Sequence, residues 1–152
     1  MDARQRFENV AIVGVGLIGG SIGLALAKRK LAGRIVGIGR TPRSREQAHM
    51  RGCVQETSTS IAEGVQQAEL VVVCTPVERI AEHVAEVGRY CPDDCLITDA
   101  GSTKADWIGR AEAALSERFS GRLPFVGSHP IAGSEKTGPE AADAELFQDR
   151  VS

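Results

Sequence analysis

The sequence predicts an α/β fold in which a doubly wound, mainly parallel sheet lies between two layers of helices. Five apolar runs rich in β-branched residues recur along the chain: NVAIVGV from Asn9, RIVGIG from Arg34, ELVVVCT from Glu69, CLITDA from Cys95 and LPFVGS from Leu123. Each run is followed by a segment with a helix-start signal or a helical period of apolar residues. Alternation of this kind is typical of a parallel sheet with both faces covered.

Local helix signals support the alternation. Three pairs of residues have the spacing of a helix start: Ser60 with Glu63, Thr75 with Glu78, and Thr41 with Pro42. The first two pairs fit a capping box, and the third fits an N-cap followed by a proline in the first turn. From Val77 onward, one helical face contains the apolar residues Ile80, Ala81, Val84 and Val87. This pattern predicts an amphipathic helix.

The composition indicates one globular domain spanning residues 1–152. The chain is 42% hydrophobic and 25% charged, with a net charge of -2. Its charges are interspersed, which argues against a nucleic-acid surface or a polybasic membrane patch and favours a small-molecule partner. The amino-terminal MDARQRFENV lacks the apolar core of a signal peptide, and no apolar run reaches the length of a membrane span. We therefore expect a cytoplasmic protein.

The four cysteines favour structural roles. Cys53 and Cys74 lie in or beside apolar runs, and Cys91 and Cys95 flank PDD. A metal site would need further ligands at suitable spacing, and the sequence offers none. We therefore expect buried thiols and no metal.

A glycine motif predicts where a ligand binds. Gly14, Gly16 and Gly19 form a G-x-G-x-x-G pattern directly after a predicted strand and at the opening of a helix, the context of a Rossmann dinucleotide site. The following Gly20 and Gly23 also lie inside the predicted helix, where a glycine costs about 1 kcal/mol relative to alanine. Close approach to a pyrophosphate and to the adjacent strand would explain them. The candidate cofactor contacts here are Gly14, Gly16, Leu17, Ile18 and Gly19; the alternative is a glycine-rich turn that binds nothing.

The end of the second predicted strand lacks an acid. NAD sites usually place a carboxylate there for the ribose 2′-hydroxyl, but Gly39 stands at that place and no carboxylate occurs between Glu8 and Glu46. Three arginines follow instead, Arg40, Arg43 and Arg45. Guanidinium groups suit a 2′-phosphate, so we prefer NADP, with NAD as the other possibility. The candidate contacts are Gly39, Arg40, Thr41 and Arg43; a solvated basic helix start is the alternative.

Four segments carry a family resemblance. VGVGLIGGSIGLAL, CTPVERI at 74–80, TDAGSTKADW at 98–107 and GSHPIAGSEKTG at 127–138 together resemble the prephenate/arogenate dehydrogenase family, from Val10 to about Gln148. The resemblance implies an oxidoreductase of tyrosine biosynthesis. Such an enzyme oxidatively decarboxylates prephenate to 4-hydroxyphenylpyruvate, or arogenate to tyrosine.

The resemblance also assigns roles near the reacting atoms. His129 matches the family's catalytic histidine, which accepts a hydrogen bond from the substrate hydroxyl, and imidazole chemistry suits that role near neutral pH. Ser102 matches the serine that bonds the same hydroxyl and the histidine. Without the resemblance, Ser102 would be interpreted as the N-cap of a helix beginning near Thr103, and His129 equally well as an exposed loop residue.

Further residues follow from the same resemblance. Cys74, Thr75 and Pro76 match the turn beside the nicotinamide ribose, although Thr75 also has the position of a helix cap. Lys104 matches a lysine that supports the loop or the substrate. The substrate pocket is expected to include Gly133, Ser134 and Glu135, with a solvated loop charge as the alternative for Glu135.

Members of the family continue into a helical domain that forms a homodimer and supplies basic residues for the substrate carboxylates. We therefore expect this chain to be the cofactor-binding domain, poorly active by itself. Two alternatives stay open: another NAD(P)-dependent enzyme acting on a hydroxy acid or an imino acid, and a nucleotide-sensing module without catalysis.

Overall fold

The described strands form one parallel six-stranded sheet in the order β3-β2-β1-β4-β5-β6. The computed structural model describes residues 6–102, 107–120, 122–130 and 137–149. The strands are β1 (Phe7–Val13), β2 (Ala32–Ile38), β3 (Glu56–Ser58), β4 (Leu70–Val73), β5 (Leu96–Asp99) and β6 (Phe125–Val126). This order is that of a Rossmann fold, with the direction of winding reversing at β1. The predicted fold class is confirmed.

Helices cover both faces of the sheet. They are α1 (Leu17–Lys28), α2 (Pro42–Met50), α3 (Ile61–Gly64), α4 (Val77–Tyr90) and α5 (Ile108–Ser116), with a 3₁₀ turn at Pro139–Ala141. Side chains of β1 alternate between two hydrophobic clusters, Val10 and Ile12 in one and Ala11 and Val13 in the other. The first cluster includes residues of α1 and α2, and the second includes residues of α3, α4 and α5. The three predicted layers are therefore present.

Two details of the predicted alternation are wrong. The sequence analysis did not predict β3, a three-residue strand that pairs with β2 through Val36 and Glu56. It has no apolar run to reveal it because it lies at the sheet edge. The run LPFVGS forms only the two-residue β6, and the only helix described in 127–130 and 137–149 is the 3₁₀ turn.

Two of the three predicted helix caps are confirmed. Thr41 Oγ1 accepts a hydrogen bond from the Ser44 amide at 3.2 Å, and Ser60 Oγ accepts one from the Glu63 amide at 3.3 Å. The prediction for Thr75 is wrong, because α4 begins one residue later and has no side-chain cap. Thr75 Oγ1 lies 2.8 Å from His83 Nδ1 instead.

The apolar face of α4 is as predicted, with Ile80, Val84 and Val87 buried and Ala81 packed against the same cluster. All four cysteines are free thiols; Cys74 is partly buried and the other three are buried. In the part of the chain that the structure describes, no helix combines the length and apolar character needed to cross a membrane.

Candidate cofactor and substrate site

A cavity of about 570 Å³ lies at the carboxyl ends of β1, β2 and β4. Eight of the candidate cofactor contacts line it: Gly14, Gly16, Gly39, Arg40, Thr41, Cys74, Thr75 and Pro76. Ligands bind in this place in open α/β sheets, where the winding reverses. The structure thus brings most of the predicted cofactor residues together; their role stays a prediction.

Backbone contacts explain two glycines of the motif. Gly14 has a φ of +95°, and a Cβ atom there would lie 2.8 Å from the carbonyl oxygen of Cys74. A Cβ atom on Gly19 would lie 2.0 Å from the carbonyl oxygen of Gly14. Only glycine allows this conformation at position 14 and this close packing at position 19. The turn therefore packs closely against the residue that follows β4 and against the first turn of α1.

Gly16 differs from these two glycines. It is the N-cap of α1 with extended backbone angles, and no heavy atom lies within 4 Å of the place its Cβ would take. The first turn of α1 has no side-chain cap and no acidic residue. A helix N-terminus with free space and no carboxylate suits a phosphate group. The residues present therefore fit a dinucleotide.

The protein contacts of Gly20 and Gly23 differ from the expected approach to the adjacent strand. A Cβ on Gly23 would lie 2.1 Å from the Cys53 carbonyl oxygen, and one on Gly20 would lie 3.1 Å from Ala142 Cβ. Packing against the segment after α2 and against the 3₁₀ turn, rather than against the adjacent strand, requires small residues here. The expected approach to a pyrophosphate stays a prediction. Among the other candidates of this stretch, Leu17 and Gly19 are outside the cavity lining and Ile18 lines a second cavity.

The three arginines near the second strand have different surroundings. Arg40 lines the cavity together with Thr41 and Ser44. Arg43 is outside the lining, its side chain is 84% exposed, and its Nη2 lies 3.9 Å from Glu140 Oε1. Arg45 Nη1 donates a hydrogen bond to the Gly39 carbonyl oxygen at 2.8 Å. Of the three arginines, only Arg40 therefore lines the cavity.

A second cavity, of about 390 Å³, adjoins the first. It is lined by both predicted catalytic residues, Ser102 from the loop after β5 and His129 from the loop after β6. Cys74, Thr75 and Pro76 line both cavities and form the wall between them. Two segments far apart in the sequence thus meet where the cofactor cavity ends. The described α5 begins at Ile108, and residues 103–106, where a helix capped by Ser102 would begin, lie outside the described residues.

Asp99 connects the two loops, and the sequence analysis missed it. Its side chain is 1% exposed at the end of β5. One carboxylate oxygen accepts a hydrogen bond from the Gly101 amide at 2.7 Å, and the other accepts one from the Ser128 amide at 3.1 Å. These amides adjoin Ser102 and His129. An acid directly after an apolar strand, in the motif TDAGS, was the available signal.

The thiol in the wall between the cavities is neutral. Burial, together with the charge of Asp99, raises the pKa of Cys74 to about 12. A thiolate is the nucleophilic form of cysteine, so Cys74 is unsuited to covalent chemistry at neutral pH. It provides an uncharged surface beside Thr75.

His83 is a second residue that the sequence analysis missed. It lines the cofactor cavity and contacts Thr75 Oγ1 through Nδ1 at 2.8 Å. Burial, with a smaller contribution from Arg79, lowers the pKa of His83 below its ordinary 6.5. The neutral ring can therefore fix the side chain of Thr75 in the shared wall.

Four predicted site residues lie outside the described residues: Lys104, Gly133, Ser134 and Glu135. Their roles stay predictions.

Comparison with known families agrees with this geometry. Residues 22–152 match the family described as prephenate dehydrogenase, nucleotide-binding domain. The chain belongs to this family. The resemblance inferred from the motifs is confirmed, although the family match begins after Gly14, Gly16 and Gly19.

Individual relatives match nearly the whole chain. A prephenate dehydrogenase of Bacillus subtilis is 37% identical over 145 residues, which are 95% of this chain and 38% of that protein. The crystal structure of prephenate dehydrogenase from A. aeolicus in complex with hydroxyphenyl propionate and NAD+ is 33% identical with a TM-score of 0.82, covering 94% of this chain and 48% of that one. Synechocystis arogenate dehydrogenase is 28% identical with a TM-score of 0.80, covering 93% and 48%. The chain thus spans less than half the length of these relatives.

Proposed function

We propose that residues 1–152 are the cofactor-binding domain of an enzyme that oxidatively decarboxylates prephenate or arogenate in tyrosine biosynthesis, with NADP as the preferred hydride acceptor. The observation that carries this proposal is the shared wall at Cys74, Thr75 and Pro76. It separates the glycine-rich cofactor cavity from a cavity that contains Ser102 and His129. Hydride transfer needs such adjacency because both reactants must be held in contact.

The proposed reaction assigns proton transfer to His129. When bound, the nicotinamide supplies the hydride acceptor. His129 takes the proton of the substrate hydroxyl while the hydride leaves the same ring carbon with its electron pair, so that a carbonyl forms. The bond to the ring carboxylate then breaks, carbon dioxide leaves, and the electron pair of that bond makes the ring aromatic while the carbonyl becomes a phenolate oxygen. That oxygen takes up a proton from the protonated His129, which gives the phenol and restores the neutral base. Ser102 holds the hydroxyl in place by hydrogen bonding.

The preference for NADP rests on Arg40. Its position in the cavity lining beside the hydroxyls of Thr41 and Ser44 supports contacts to a 2′-phosphate. The solved A. aeolicus relative is named as a complex with NAD+, and NAD is therefore the direct competitor in the test.

The test uses the protein at its full natural length. We expect reduction of NADP with release of carbon dioxide when prephenate or arogenate is added. Cofactor binding without turnover of either substrate would instead favour a nucleotide-sensing module. Turnover of a hydroxy acid or an imino acid alone would favour a different oxidoreductase.

The cytoplasmic location, the helical second domain and the homodimer stay predictions.

A further inference from the structure

The segment 137–149 contacts α1 and reaches the cavity at the carboxyl ends of the strands. The Asp143 amide donates a hydrogen bond to Ser21 Oγ in α1 at 2.9 Å. Glu145 forms ion pairs with Lys28 and with Arg29 at the end of the same helix. At its start, the segment reaches the cofactor cavity, whose lining includes Gly138 and Pro139.

Glu140 follows Pro139, which lines the cavity, and its side chain contacts α2. Its Oε1 accepts a hydrogen bond from Gln47 Nε2 and lies 3.9 Å from Arg43 Nη2. The first turn of α2 contains no acidic residue of its own. The carboxylate beside α2 is therefore supplied by a segment about a hundred residues after the end of β2.

The contact gives Arg43 a different role from Arg40. Arg40 lines the cavity, whereas Arg43 is outside the lining and within ion-pair distance of Glu140. An arginine that turned toward a bound 2′-phosphate would have to leave this carboxylate. The carboxylate would also repel the phosphate, which carries a negative charge that the hydroxyl of NAD lacks.

We propose that Glu140 is a specificity-determining residue that holds Arg43 away from the cofactor and lowers the affinity for NADP relative to NAD. The inference rests on the proposed cofactor site. In that site, Arg40 raises the affinity for NADP and Glu140 lowers it. Both side chains are largely exposed, at 84% for Arg43 and 58% for Glu140. The expected effect is therefore the roughly two- to fivefold change in affinity typical of an exposed ion pair.

The experiment measures dissociation constants for NADP and NAD by titration calorimetry at low salt. Glu140→Gln keeps the size of the side chain and its acceptor for Gln47 but removes the charge. We expect NADP to bind about two- to fivefold more tightly and NAD to bind as in the wild type. Glu140→Asp, which keeps the charge, should stay close to the wild-type ratio.

Glu145→Gln is the matched control, because it removes one charge from the same segment at the far end of α1. It should leave the ratio of the two affinities unchanged. An equal gain in NADP affinity in Glu145→Gln would attribute the effect to net charge and overturn the role of Glu140. An unchanged ratio in a folded Glu140→Gln variant would overturn it as well.

A second measurement does not depend on the folding of that variant. If Glu140 holds Arg43, then Arg43→Ala should weaken NADP binding far less than Arg40→Ala does. Equal losses in these two variants would show that Arg43 already serves the phosphate and would overturn the inference. Failure of the wild type to bind either cofactor would contradict the proposed function itself.

Discussion

The candidate cofactor cavity and the second cavity, lined by Ser102 and His129, share a wall but are built by different means. Contacts between backbone atoms shape the first: Gly19 packs against the Gly14 carbonyl within the glycine motif, and Gly14 packs against the carbonyl oxygen of Cys74. A buried side chain organises the second, because Asp99 joins the loops that carry Ser102 and His129. The glycine motif that predicts the first cavity is local in the sequence. The second cavity depends on contacts between distant segments.

The largest expected effect tests the chemistry of the substrate cavity. His129→Asn should lower kcat of the full-length enzyme at least about a hundredfold, because a general base is lost, and should leave cofactor affinity nearly unchanged. Steady-state and binding measurements on the same preparations separate the two effects. The control is His49→Asn, on the exposed side of α2. A wild-type kcat in the His129 variant would remove this residue from the mechanism.

The support beneath that cavity is tested next. Asp99→Asn loses a charged acceptor for two backbone amides, so the free energy of unfolding should fall by about 1.5–3 kcal/mol. Urea titration measures the change. Asp93→Asn, whose side chain is 94% exposed, should remain within about 0.5 kcal/mol of the wild type. Equal unfolding free energies for the two variants would contradict a structural role for Asp99.

On the cofactor side, the glycines should respond according to their backbone contacts. Gly19→Ala places a methyl group against the Gly14 carbonyl, and overpacking of this kind should cost about 1–3 kcal/mol in urea titrations. Gly109 in α5 has nothing within 4 Å of an added Cβ, so Gly109→Ala should not destabilise the chain. A wild-type unfolding midpoint for Gly19→Ala would disprove the close packing.

The smallest expected effect concerns pH and the shared wall. Because burial lowers the pKa of His83 below 6.5, the folded state disfavours its protonation. Its contribution to stability is complete above 6.5 and is lost as pH falls through the lowered pKa. His83→Gln should therefore show a weaker decrease in urea midpoint over this range than the wild type. Identical pH profiles would contradict the prediction.

Signals that depend on a few neighbouring residues predicted the sheet, most helix starts and the cofactor cavity. The same local rules failed where a distant group takes the side chain. Thr75 has the spacing of a cap, yet His83 eight residues later takes its hydroxyl. Gly20 and Gly23 pack against Ala142 and Cys53 rather than against the adjacent strand. Asp99 stands at the end of an apolar run, which was a local signal, but its contact with Ser128 is supplied by tertiary structure.

The thin wall at Cys74, Thr75 and Pro76 has a consequence for altering the enzyme. In the proposed site, a change there alters the surroundings of both reactants at once, so cofactor use and substrate use cannot be changed separately at that point. Arg40, the proposed contact of a 2′-phosphate, lines only the larger cavity. In the proposed site, cofactor preference can therefore be altered by substitutions around Arg40 alone, without disturbing the reacting atoms.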